Sequence, residues 1–177
     1  MKKIISLFMF LIIIVAPYFS DATIFYYSGE NNVYNTQDIM IIHNNFSQSL
    51  KNLNPEIHIK QTDYAPNSNI FATCDNNKII LYRNVNCIGD WSKEGQLRVL
   101  KDVLLHEYGH VMWYRQNVTS EFWDAVMNFE DENNSDVVHE DFADSFRLYF
   151  QDNEMLKNKS PIKYAAIKEL IRRNDKK

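Results

Sequence analysis

Residues 93–116, KEGQLRVLKDVLLHEYGHVMWYRQ, constrain this chain more than any other stretch. At about 100° per residue, Leu97, Leu100, Leu104, Tyr108 and Val111 fall on one side of a helix. Val99, Val103 and Trp113 fall on nearly the opposite side, together with His106 and His110. A helix with one apolar stripe can lie on a surface. This one has to be covered twice, so one side is expected to pack on a sheet and the other on a second layer. Asp90 or Ser92 suits its N-cap, and Glu94 its first turn.

The flanking segments say what those layers are. Ile39, Ile42, Phe46, Leu50 and Leu53 recur at helical spacing in TQDIMIIHNNFSQSLKNL, which predicts one amphipathic helix capped near Thr36. EIHIK, from residue 56, reads as a strand, and the following 65–69 are rich in turn residues. IFATC and KIILYR flank Asp75-Asn76-Asn77 as a hairpin that sets Cys74 opposite Ile79. Residues 84–92 read as loop. After the long helix, a helix from Thr119 or Ser120 carries Phe122, Val126 and Phe129, and residues 130–136 form a polar acidic loop. Val137–Gln151 and Ser160–Arg173 are the last two helices, the second with Pro161 in its first turn. Strands come early and helices late, which predicts an α+β domain with a small sheet.

At 177 residues the chain suits one domain. It opens with Lys2 and Lys3, an apolar run from Ile4 or Ile5 to about Ala16, and the small residues Ser20 and Ala22. That is the layout of a secretory signal peptide cleaved after Ala22; the run is short for a membrane anchor. The mature domain is then 23–177, with no stable membrane insertion. Loss of Lys2, Lys3 and Asp21 leaves a net charge of about −5. Cationic residues are scattered, which argues against nucleic acid as a partner, and a monomer is the expectation. An exported chain meets an oxidising environment, so Cys74 and Cys87 are expected to form a disulfide, the alternative being two buried thiols.

LLHEYGH, residues 104–110, is where chemistry enters. His106 and His110, at i and i+4, share a helix face, so both imidazoles can reach one ion. Glu107 is turned about 100° away. It is badly placed as a third ligand, but well placed to take a proton from a water on that ion as general base. A chance HExxH arises in roughly one chain in a hundred of this composition. The bland reading needs two core histidines on an apolar face, each with a hydrogen-bond partner.

A catalytic zinc usually takes three protein ligands. Trp113 and Gln116 stand three and six residues after His110, where the compact long motif has Gly and His, so the third ligand comes from further on. In VVHEDFADSFRLYF, residues 137–150, Val138, Phe142, Ser145, Phe146 and Tyr149 make a core stripe, while Glu140, Asp144 and Arg147 line the opposite face. Glu140 is the favoured third ligand, with His139 and Asp136 as rivals. Asp144, one turn on, could accept a hydrogen bond from the far nitrogen of a ligating histidine. The bland alternative is a solvated acidic face.

HEYGH followed by EDFADSFRL resembles the zinc peptidases of the anthrax lethal factor catalytic domain and the bacterial Pro-Pro endopeptidases, within the wider gluzincin pattern. The matching runs are 104–113 and 140–149. The resemblance implies a zincin-like domain with one Zn2+ on His106, His110 and Glu140, Glu107 as base and Asp144 behind the ligands. It implies a secreted metalloendopeptidase, toxin-like in being a small stand-alone protease. Its protein or peptide substrate would bind in extended form, along KIILYR. One departure stands out. These enzymes carry a tyrosine seven residues before the ligand glutamate that steadies the developing oxyanion, and here that position is Asn133. Either another group, His139 or Tyr114, takes that role, or turnover is weak. The rival reading is a non-catalytic secreted binding protein that keeps the fold and the metal site. The missing tyrosine favours it, and the intact Glu107 opposes it.

Overall fold

In the computed structural model, residues 25–28, 36–60, 70–82, 92–127 and 135–176 are described. The signal peptide, Cys87, Asp90, Phe129, Asn133 and most of the acidic loop lie outside them; Asp136 is placed only as a helix residue. The elements in chain order are β1 (Phe25–Ser28), α1 (Thr36–Asn44), α2 (Gln48–Lys51), β2 (Glu56–Lys60), β3 (Ala72–Asp75) and β4 (Lys78–Leu81), then α3 (Lys93–Arg115), α4 (Ser120–Met127), α5 (Ser135–Gln151), α6 (Asn153–Lys159) and α7 (Pro161–Asn174). The chain is α+β, and among the described residues no helix is long and apolar enough to cross a membrane.

The sheet has the order β1-β2-β4-β3. β1, β2 and β4 are parallel, and β3 runs antiparallel at one edge with Cys74 opposite Ile79. Asn76 turns the hairpin at φ 54°, a left-handed conformation that asparagine tolerates. KIILYR therefore does not offer an edge to a substrate: residues 78–81 are bonded to β2 on one side and β3 on the other. The hairpin folds β4 inward, because Ile79 and Leu81 have core to bury (0% and 2% exposed), and β3 is left outside.

The 36–53 stretch does not form one helix. It breaks at Asn45–Ser47, where Asn and Ser are weak helix formers. The break re-aims Leu50 and Leu53, which are buried with Ile39, Ile42 and Phe46 over Ile57, Ile59 and Ile79. Two elements have no counterpart in the sequence reading. β1 is only four residues long, and α6 begins where the Asp152 carboxylate caps Met155 N–H at 2.9 Å, with Leu156 buried.

Helix α3 lies between the layers. Leu100, Leu104, Tyr108 and Val111 are buried in the core. Ser92 caps it, accepting a hydrogen bond from Gly95 N–H. Its other side meets α5 at Gly109. A Cβ on that glycine would lie 2.8 Å from Ala143 Cα and 3.1 Å from Phe146 Cβ, so the two helix backbones touch. Asp141 locks α5 from behind, accepting from Trp123 Nε1 at 2.9 Å and from Lys163 Nζ at 2.6 and 2.7 Å. Gly109→Ala is accordingly expected to destabilise. Helix propensity favours Ala by about 1 kcal/mol, but the clash is with backbone, and overpacking costs typically 1–3 kcal/mol. A melting temperature several degrees below wild type is expected; one at or above it contradicts the close contact.

Candidate metal centre

The backbone contact at Gly109 lets side chains from two helices meet. His106 and His110 lie one turn apart on α3, and Glu140 lies one turn before Ala143 on α5. The Nε2 atoms of His106 and His110 are 3.1 Å apart. Glu140 Oε2 stands 3.1 Å from His106 Nε2, and its Oε1 3.4 Å from His110 Nε2. These three residues can hold a metal ion. Asp144 Oδ1 is 3.1 Å from the other nitrogen of His106, Nδ1, so it can fix the imidazole with Nε2 toward the cluster.

One of the two rivals falls elsewhere. His139 lies over His110 with ring centroids 4.6 Å apart, and also meets Trp113 and Tyr114 at 4.7 and 5.2 Å. It belongs to an aromatic shelf and is not part of the ligand cluster. Nothing is placed for the side chain of Asp136. Tyr114 and His139 both line the cleft.

That cleft, of about 680 Å³, runs between α3, α5 and residues 70–74 of the edge strand region. Val99 and Val103 form an apolar wall beside the histidines. Glu107 also faces it, yet is only 5% exposed, and its Oε2 has no hydrogen-bond partner among the described residues. His110 Nδ1 is likewise buried without one. Cys74 also lines the cleft, as a free thiol and not in the expected disulfide. Burial pushes that thiol far above its usual range, and Glu107 and Asp75 add to the effect.

The carboxylates titrate apart. Burial raises Glu107, while the two histidines pull it back. Hydrogen bonds from His106 and His110 hold Glu140 well below the usual range, and a hydrogen bond from His106 lowers Asp144 despite partial burial. Burial alone would lower His106. Its hydrogen bonds to Asp144 and Glu140, with the nearby Glu107 charge, instead bring it up to about 9.

In the metal-free protein, His106 has a folded pKa above its ordinary 6.5. Its charged form contributes stability that is complete below pH 6.5 and is lost as pH rises through about 9. A metal needs the neutral imidazole, so loading at neutral pH displaces a proton, and apparent affinity is expected to climb with pH toward 9. Calorimetric titration of the metal in buffers of different protonation enthalpy reads this directly. Identical heats in all buffers contradict it.

Comparison with family models, curated proteins and solved structures returns no match for this chain.

Sequence reasoning passed over two features of this centre. Gly109 could have been noticed, since a glycine inside a long helix costs stability unless something needs the room. The edge position of β3 could not, because alternation of apolar residues does not say which strand of a hairpin lies outermost.

Proposed function

We propose that this chain is a secreted, zincin-like zinc endopeptidase. The observation that carries the reading is the meeting of two Nε2 atoms and one carboxylate within 3.1–3.4 Å, with a buried carboxylate oxygen of Glu107 in the same cleft that has no hydrogen-bond partner among the described residues. Ligand atoms at roughly 2.0–2.1 Å from one tetrahedral zinc lie about 3.3 Å from each other, so the separations suit that ion. Two imidazoles and a carboxylate with an open fourth position are a donor set for catalytic rather than structural zinc. His106, His110 and Glu140 would hold it, and it would supply a Lewis acid that acidifies water and polarises a peptide carbonyl.

The chain's own residues do the rest. The Glu107 carboxylate takes the proton of the attacking water and delivers it to the departing amine nitrogen. Its burial suits this role, because a raised pKa brings a carboxyl nearer the working pH. Asp144 keeps His106 in one tautomer and orientation. His139 or Tyr114, on the aromatic shelf, is the donor available to the developing oxyanion. β3 ends the sheet among the described residues and borders the cleft, so an extended substrate would add to the sheet there. The resemblance to the lethal factor and Pro-Pro endopeptidase family supports the assignment, and the opening residues support export with cleavage after Ala22.

Metal analysis of the purified mature protein tests the reading. About one zinc per chain is expected. Full zinc content in Glu140→Ala would move the third ligand to His139 or Asp136, and a wild type that retains no zinc would end the proposal.

A further inference from the structure

The proposed function leaves Arg147 without a task, although it lines the cleft in the polar row of α5. Asp144 is exposed, and a carboxylate in that position has other rotamers open to it. An exposed carboxylate–imidazole pair on its own is weak. Arg147 lies one turn further along, with Nη2 3.2 Å from Asp144 Oδ1. That oxygen is the one 3.1 Å from His106 Nδ1. A single carboxylate oxygen therefore links a guanidinium on α5 to an imidazole on α3.

Two observations separate Arg147 from a solvated surface arginine. Its Nε is buried with no hydrogen-bond partner among the described residues, so the side chain is packed on protein at a cost in free energy. Glu140 and Asp144 also sit one turn apart with like charge, and a cation beside the second of them offsets their repulsion.

We propose that Arg147 is a positioning residue. It clamps Asp144, and Asp144 in turn holds His106 with Nε2 facing His110 and Glu140. The inference rests on the metal-centre reading above, and acts through hydrogen-bond geometry.

The test is a double-mutant cycle read as zinc affinity, by competition with a chromophoric chelator. Wild type, Asp144→Ala, Arg147→Met and the double variant are compared. Each single change is expected to weaken zinc binding by roughly 10–100-fold, as for loss of an outer hydrogen-bond partner. The double variant should bind no more weakly than Asp144→Ala, because Arg147 acts only through Asp144. Arg147→Lys keeps the charge without the planar fork and should recover part of the loss. Melting in chelator checks that the fold is kept, and Arg147→Gln replaces Arg147→Met if that variant melts early. Arg147→Met within twofold of wild type, beside a weakened Asp144→Ala, overturns the proposal. A double variant weakened by the product of the two single losses overturns it as well. Wild type that binds no zinc is a distinct result, and removes the function reading together with this one.

Discussion

His110→Ala is expected to leave a folded protein that no longer binds zinc. His110 presents Nε2 to the cluster from a nearly buried side chain, 3.1 Å from the corresponding atom of His106. Asp144 cannot compensate, since it contacts the far side of His106. Removal of an outer partner typically weakens a metal site by about 10–100-fold, and removal of a ligand should exceed that. Thermal melts make the loss visible without any activity assay. Zinc at 100 times its dissociation constant stabilises a folded protein by about 2.7 kcal/mol, so wild type should melt several degrees higher with zinc than with chelator. His110→Ala should melt at one temperature in both. An equal zinc-dependent rise in the two proteins would place the ion elsewhere.

Glu107→Gln is expected to do the reverse: keep the zinc and lose the turnover. Glu107 is absent from the ligand cluster, so the substitution leaves all three ligand side chains in place. Gln is nearly the same size and can still hydrogen-bond a water, but cannot carry its proton. General acid–base catalysis is worth roughly 10²–10⁴-fold, and peptide cleavage should fall by at least that much. Stability should hold or rise slightly, because a buried carboxylate whose Oε2 lacks a partner among the described residues is replaced by a neutral amide.

Much of the architecture is legible in the sequence, for physical reasons that differ by element. α3 is legible because both its apolar stripes and its Ser92 cap are local features, and α5 because Val138, Phe142 and Phe146 recur at helical spacing. The α3–α5 face is legible in part. His106 and His110 share it by helix geometry alone, and Glu140 and Asp144 line up for the same reason. Their meeting across two helices depends on Gly109 against Ala143, a long-range contact that helix periodicity does not encode. Arg147 lines up with Asp144 in sequence, yet its buried Nε appears only once α5 is packed. The sheet is the least legible part. β1, four residues long, is too short to show a pattern, while the β3–β4 hairpin and its register are legible; only burial of Ile79 and Leu81 decides that β4 lies inside and β3 outside. The break at Asn45–Ser47 is hidden for a related reason: the apolar positions on both sides keep helical spacing, while tertiary burial of Leu50 and Leu53 sets the turn between them.

Glu107, beside a zinc held by His106, His110 and Glu140, is proposed to be the general base of peptide-bond hydrolysis. Cleavage of a random peptide library by zinc-loaded wild type and zinc-loaded Glu107→Gln, side by side, tests it most directly. Wild type is expected to cleave, the two proteins to carry equal zinc, and the variant to be at least about 100-fold slower. Equal cleavage by both, or no cleavage by a wild type that carries its zinc, would contradict it, the second outcome being that of a binding protein with an idle metal.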